Sequence, residues 1–136
     1  MDDPGRWMDR VPFARDLGLE IDEARNGESR LSLNVSQRHS NSLAFVHGGV
    51  LMTMLDVAMA VAGRSLEPGT SAGITVTMNV MFLRPAPAEG RLTAMGRCVQ
   101  RARSQSICEA DVVDDTGRLF ARATGIFRFV AESRLP

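Results

Sequence analysis

The chain contains no lysine and no tyrosine, and its 136 residues include only one tryptophan, two cysteines and two histidines. All sixteen basic residues are therefore arginines, and sixteen acidic residues balance them to a formal net charge of zero. A neutral chain lacks the broad positive surface by which proteins bind nucleic acid or a membrane surface. We therefore expect neither nucleic acid nor a membrane as a partner.

The few cysteines and histidines argue against a metal centre. Cys98 and Cys108, with His39 and His47, do not have the paired spacing of a zinc site, so we predict no metal and no cofactor. The N-terminus has no basic region followed by an apolar one, which predicts a cytoplasmic protein with reduced thiols. The longest apolar run, about 16 residues, falls short of the ~20 needed to span a bilayer.

Hydrophobic and charged contents of 44% and 24% are those of a globular chain, and the length suits one domain, residues 1–136. Alternating segments predict two strands before one long apolar helix and four after it. Hairpin-length connections such as Asn26-Gly27 then favour an α+β fold, an antiparallel sheet wrapped around one central helix. The predicted segments are a short helix at 5–15, strands at 17–25 and 30–35, a helix at 48–63, a break at 67–69, and strands at 74–82, 90–101, 105–114 and 117–129.

Asp56 is the only charge in the stretch from Gly48 to Gly63, which is otherwise apolar on every face. Such a stretch predicts a helix enclosed by protein. An ionised carboxylate is very costly to bury without a partner. Asp56 therefore either forms a structural ion pair across an interface or occupies a pocket that uses its basicity, and the sequence leaves both readings open.

His47-Gly48-Gly49 begins this helix. The two glycines leave the first backbone N–H groups accessible, and the helix dipole attracts a negative oxygen to them, as in an oxyanion hole. Gly48 and Asp56 are eight residues apart, about 12 Å of helix, which is too far for joint action on one small group. They can cooperate only across a symmetric interface between antiparallel helices, so we predict a dimer as the active unit.

A longer motif surrounds these residues and resembles the hotdog-fold acyl-CoA thioesterases, specifically the group related to the phenylacetate-pathway thioesterase. The resemblance extends from about Val11 to Val130, and it departs at Ala44, where relatives commonly carry glycine. It implies a hotdog fold, thioester hydrolysis at a dimer interface, and a homotetramer built as a dimer of dimers. The motif consists of Asn41, His47-Gly48-Gly49, Asp56 and the strand end Phe82-Leu83-Arg84-Pro85.

The resemblance also implies roles for individual residues. The Gly48 N–H would polarise the thioester carbonyl, and Asp56 of the other subunit would act as general base or as nucleophile. Asn41 and His47 would orient the thioester and the helix start. Thr75 matches a hydroxyl position that holds the attacking water, although threonine also suits an exposed strand face.

Coenzyme A would bring phosphates, for which arginine is the natural partner. Arg84, at a strand end, and Arg101 and Arg103, in a predicted turn, are the candidates, although each could equally be a solvated surface charge. Gly49 completes the predicted substrate-binding set.

Three functions agree with these features. The leading one is hydrolysis of an aryl-acyl or medium-chain acyl-CoA to the free acid and CoA. A non-catalytic acyl-CoA binding or regulatory module of the same fold is the first alternative, but a binder gains nothing obvious from Asp56. A hydratase is the second alternative, and His47 is the only histidine that could assist Asp56 in it.

Overall fold

The computed structural model describes residues 4–66 and 72–130. In that part of the chain, two short helices precede a six-stranded sheet, and a 17-residue helix lies against the sheet. The predicted order of two strands, one helix and four strands is confirmed. The elements are α1 Pro4–Asp9, α2 Pro12–Leu17, β1 Glu20–Arg25, β2 Glu28–Asn34, a 3₁₀ turn Gln37–His39, α3 Gly48–Arg64, β3 Ala72–Phe82, β4 Arg91–Arg101, β5 Gln105–Asp114 and β6 Leu119–Val130.

Two local predictions differ from the structure. The single helix expected at 5–15 is two helices, because Pro12 has no N–H to continue α1 and instead begins α2. The polar loop after β2 contains a 3₁₀ turn that alternation could not indicate. The break predicted at residues 67–69 lies outside the described residues.

The sheet has the strand order β1-β2-β4-β5-β6-β3, and every neighbouring pair is antiparallel. Helix α3 contacts all six strands, so the sheet curves around it as the hotdog fold requires. Strands β1 and β3 are the two edges. Strand β3 follows α3 in the chain order, and it contacts the helix.

The Asn26-Gly27 turn forms as predicted. Both residues have left-handed backbone angles, with φ of 53° and 81°, as a tight two-residue hairpin requires. The Gly27 N–H donates a 2.8 Å hydrogen bond to Ser65 Oγ, and the Ser65 hydroxyl donates to Ala62 O at 2.7 Å. These bonds join the first hairpin to the C-terminal end of α3.

Gly96 allows the middle of α3 to approach the sheet. A Cβ at this position would lie 2.4 Å from Ala58 O, so only glycine fits without moving the helix. Ser29 on the adjacent strand donates a 2.6 Å hydrogen bond to the same carbonyl oxygen. The helix is therefore fixed two residues beyond Asp56. The largest fully buried apolar side chains of the core are Phe127, Leu31, Leu33, Met54, Leu55, Met59, Val61 and Val112.

One face of α3 is left incompletely covered by its own chain, as the predicted interface with the α3 helix of a second subunit would require. Met52 is 41% exposed, and Asp56 and Ala60 on the same side are only partly buried. The adjacent edge strand β3 exposes Val76 and Phe82 by 59% and 52%. Large apolar side chains beside unpaired backbone groups are typical of an interface. Across the described ranges, no helix has the length and hydropathy to cross a membrane.

Candidate active site

The start of α3 is capped by His47. This residue has extended backbone angles, and its Nδ1 accepts a 2.8 Å hydrogen bond from the Gly49 N–H. The carbonyl oxygen of His47 accepts from the Val50 N–H at 2.9 Å. The sequence predicted that both glycine N–H groups would be accessible, but the Gly49 N–H is committed to His47. Within the described ranges, the Gly48 N–H has no acceptor and is the donor left for a ligand.

Gly49 of this motif has a steric reason, whereas Gly48 leaves room for a methyl group. A Cβ at Gly49 would lie 3.0 Å from His47 Nδ1 and would crowd the capping hydrogen bond. A Cβ at Gly48 would lie 3.5 Å from the Phe82 ring, which stands beside the helix start. Phe82 was part of the recognised motif but was not predicted as a site residue. Its inward register on β3, opposite Ala121, is what places it at Gly48.

Asn41 organises the loop before α3. Its Oδ1 accepts hydrogen bonds from the Leu43 N–H at 2.9 Å and the Phe45 N–H at 3.1 Å, and its own N–H donates to Phe45 O at 2.7 Å. Ala44 lies in this loop with a φ of 64°, a left-handed angle that explains why glycine is preferred there. Asn41 therefore positions the loop, and its acceptor oxygen is used within it.

His39, for which the sequence offered no metal-binding spacing, is a buried residue that supports the same loop. Its ring is 1% exposed, with Nδ1 accepting from the Ser36 N–H at 3.0 Å and Nε2 lying 2.6 Å from Leu17 O. The two contacts assign the proton to Nε2, which donates to the Leu17 carbonyl. The His47 N–H donates to the backbone carbonyl of His39 at 2.8 Å, so the residue that this buried ring fixes is bonded to the residue that caps α3.

Asp56 lies on the partly exposed face of α3, and Thr75 on β3 contacts it. The Thr75 hydroxyl donates a 2.6 Å hydrogen bond to Asp56 Oδ1. Burial raises the pKa of Asp56 above its ordinary value, and the Thr75 hydrogen bond lowers it in part. Within the described residues, no cation of the same chain contacts this carboxylate, and the ion pair across an interface stays a prediction.

A bulge in β3 brings Thr75 to this position. The register with β6 shifts between Thr75 and Thr77, so that Thr75 lies opposite the buried Phe127 and Met78 lies opposite Gly125. Both residues thus face the helix although they are three positions apart. Bulges commonly re-aim side chains next to active sites. Strict alternation, on which the strand prediction depended, gives no sign of this shift.

The three predicted arginines lie at opposite ends of the fold. Arg84 follows β3 close to the Phe82 end, and its Nη1 donates a 2.7 Å hydrogen bond to Leu119 O. Arg101 lies 3.8 Å above the Phe129 ring and also donates to Ala102 O. Arg103 is exposed in the β4–β5 turn. That turn packs toward the C-terminal end of α3, so within one chain only Arg84 lies near Gly48.

Asp56, Thr75 and the Gly48 N–H form a site that needs no serine or cysteine nucleophile. With the fold, they point to one class of protein, the hotdog-fold thioester hydrolases. A positioned carboxylate can serve a reaction that needs only water and a polarised carbonyl.

Sequence and structure comparisons agree with that class. The model of the Thioesterase superfamily matches residues 43–121, and the chain belongs to this family. It is 25% identical over 112 residues to acyl-coenzyme A thioesterase 13 of Homo sapiens, covering 81% of this chain and 79% of the relative. It is 25% identical over 105 residues to 1,4-dihydroxy-2-naphthoyl-CoA hydrolase of Listeria monocytogenes, covering 76% and 83%.

A solved structure shares the fold. A variant of the phenylacetic acid degradation protein PaaI from Thermus thermophilus superposes with a TM-score of 0.79 at 27% identity, covering 88% of this chain and 99% of that one. The resemblance to the phenylacetate-related thioesterases is confirmed. The protein is a thioester hydrolase.

Proposed function

We propose that this protein hydrolyses aryl-acyl or medium-chain acyl-CoA thioesters at a site formed by two subunits. The observation that carries the proposal is Asp56, a carboxylate with a raised pKa on the open face of α3, held by Thr75 and contacted by no cation among the described residues of its own chain. The names of the human and Listeria relatives support a CoA ester as the substrate. The Listeria relative acts on an aromatic acyl group, which agrees with an aryl-acyl substrate here.

The reaction follows from two groups. Asp56 takes a proton from a water molecule as the water oxygen attacks the thioester carbonyl carbon, and Thr75 fixes the orientation of the carboxylate. The carbonyl oxygen gains negative charge and accepts a hydrogen bond from a Gly48 N–H at a helix start. The tetrahedral intermediate then reforms the carbonyl, the C–S bond breaks, and CoA leaves as a thiolate. A thiol is acidic enough to leave without a strong acid.

Two subunits are needed because Gly48 and Asp56 of one chain are about 12 Å apart along α3. An antiparallel pair of α3 helices would place Asp56 of each chain opposite Gly48 of its partner. The incompletely covered face of α3 and the apolar edge of β3 supply the surface for such a pair. We therefore propose a homodimer as the minimal active unit, associated further into a homotetramer.

Arg84 is the arginine whose position suits the phosphates of CoA. It is exposed, and its hydrogen bond to Leu119 O leaves other N–H groups of the guanidinium facing outward. Arg101 packs on Phe129, so its cation is largely engaged within the chain. Arg101 and Arg103 could contact CoA only if the partner subunit brings the β4–β5 turn to the site.

Hydrolysis of a panel of acyl-CoAs tests the proposal. Short, medium, long, phenylacetyl and hydroxybenzoyl esters are offered to wild type, to Asp56→Asn, and to Asp115→Asn, a control that removes an exposed charge from a turn. We expect turnover of aryl or medium-chain esters that falls about 10²–10⁴-fold in Asp56→Asn alone, the usual contribution of a general base. Mass in solution should be unchanged. Binding of the esters without turnover in wild type would contradict hydrolysis and favour the binding module.

A further inference from the structure

The only two cysteines of the chain lie directly opposite each other on adjacent strands. Cys98 on β4 and Cys108 on β5 are register partners in the antiparallel ladder, and both thiols are free. Directly opposed residues point to the same face of a sheet. That face is the one covered by α3, because Gly96, two positions before Cys98, contacts the helix.

The backbone hydrogen bonds show which kind of pair this is. The Cys98 N–H donates a 2.7 Å hydrogen bond to Gly27 O, on the side of β4 away from β5. Cys98 and Cys108 therefore form a non-hydrogen-bonded pair, in which the Cα atoms are about 4.5 Å apart. Disulfides span Cα separations of about 4.4–6.8 Å. The two strands can thus be bridged without a change of register.

The two thiols differ in exposure. Cys108 is fully buried, whereas Cys98 is partly exposed. Burial and, to a smaller extent, the neighbouring Cys98 thiol together raise the pKa of the Cys108 thiol to about 12, against the opposing hydrogen bond to Ser106. Since the thiolate is the reacting form, a reagent from solution meets Cys98 first.

We propose that Cys98 and Cys108 are a thiol–disulfide modification site that takes a small disulfide, such as oxidised glutathione, as its oxidant. The Cys98 thiolate attacks one sulfur of the reagent, forms a mixed disulfide and releases one glutathione thiolate. The Cys108 sulfur then loses its proton and attacks Cys98 Sγ, forming the protein disulfide and releasing the second glutathione. Two protein thiols are oxidised and one glutathione disulfide is reduced to two thiols.

The bridge would tie β4 to β5 beside their turn and beneath the C-terminal end of α3. Both cysteines lie far along α3 from Gly48, because their neighbours Gly27 and Ser106 contact Ser65 and Gly63 at the other end of the helix. The cysteine pair is therefore separate from Gly48 of its own chain. Closing a loop by a disulfide restricts the unfolded chain, so oxidation is expected to raise the melting temperature by a few degrees.

Intact-mass measurement on the native protein tests the proposal. Wild type is incubated with oxidised glutathione beside Cys98→Ser and Cys108→Ser. We expect wild type to lose the mass of two hydrogens, to become unreactive to a thiol reagent after denaturation, and to melt at a higher temperature. Cys108→Ser should retain one glutathione on Cys98, because nothing displaces it. Cys98→Ser should remain unmodified.

Three results would overturn the proposal. The first is a stable glutathione adduct on wild-type Cys98, and the second is a disulfide that links two chains on a non-reducing gel. The third is that both thiols stay free in the folded protein, although the urea-unfolded chain is oxidised by the same reagent.

Discussion

Thr75 Oγ1 lies 2.6 Å from Asp56 Oδ1 and joins the strand after the central helix to the one carboxylate in that helix. The hydroxyl proton is donated to Asp56, so the lone pairs of Thr75 remain free to accept a hydrogen bond from water. Burial and Thr75 act on Asp56 in opposite directions, the first raising its pKa and the second lowering it. A carboxyl group whose pKa is shifted by burial and by a specific partner is typical of functional sites.

Removing the Thr75 hydroxyl should shift the pH dependence of hydrolysis. Because its hydrogen bond favours the ionised carboxylate, Thr75→Val raises the pKa of Asp56 further, and the acidic limb of kcat/KM moves to higher pH. On that acidic limb, the loss of a hydrogen bond to a charged group leaves about tenfold less ionised Asp56, so kcat/KM at a given pH should fall about tenfold. Thr75→Ser keeps the hydroxyl and serves as the control. An unshifted limb in Thr75→Val would show that the hydroxyl does not act on Asp56.

Asp56→Asn should be more stable than wild type at neutral pH. The pKa of Asp56 is higher in the folded protein than its ordinary value of 3.8 in the unfolded chain. Protonated Asp56 therefore contributes its full stabilisation below pH 3.8, and this contribution is lost as the pH rises through the folded pKa. Above it, wild type carries the cost of a partly buried charge, whereas asparagine does not. Urea unfolding at acidic and neutral pH measures the difference, which should grow with pH. A less stable variant at neutral pH would mean that the ionised carboxylate is net stabilising.

His47→Ala should destabilise the fold through the start of α3. The variant loses the Nδ1 acceptor of the Gly49 N–H, and loss of an N-cap costs about 1 kcal/mol. His47→Asn is the matched control because asparagine is a favourable N-cap. Chemical denaturation of the three proteins gives the comparison. Equal stability of His47→Ala and wild type would show that the cap contributes nothing.

Ala44→Gly should stabilise the protein. Ala44 holds a φ of 64°, which costs an L-residue about 1–2 kcal/mol, and the greater freedom of glycine in the unfolded chain offsets only part of this gain. We expect a net increase of about 0.5–1 kcal/mol in the free energy of unfolding. Ala88→Gly, at a position without a positive φ, should be destabilising in the same assay. Destabilisation of both variants to the same extent would refute the strain at Ala44.

Sequence patterns predicted the elements that depend on local signals. The apolar run identified α3, Asn26-Gly27 identified the first hairpin, and His47-Gly48-Gly49 identified the helix start. The features that sequence alone did not indicate depend on tertiary contacts. Alternation hides the bulge that turns Thr75 toward Asp56, since a bulge is one extra residue in an otherwise regular strand.

The commitment of the Gly49 N–H to His47 was equally hidden, because it depends on a side-chain rotamer. The all-apolar stretch alone could not locate the open face of α3, since a helix covered by a second subunit and one covered by its own chain have the same composition. Only the placement of the sheet distinguishes them, and in the sequence only the separation of Gly48 and Asp56 indicated a helix–helix interface.

Subunit complementation tests the shared site most directly. Asp56→Asn is mixed by co-refolding with Gly48→Pro, which removes the N–H of residue 48. Proline is tolerated there because the position is the first of a helix, and because His47 already has the backbone angles of a residue before proline. Gly48→Ala keeps the N–H and is the control that should stay active. Each parent should be inactive.

In the mixture, about a quarter of the sites combine an intact Asp56 with an intact Gly48 of the partner subunit, so about a quarter of wild-type hydrolysis should return. A mixture that forms mixed oligomers by mass yet stays as inactive as its parents would contradict a site shared between subunits.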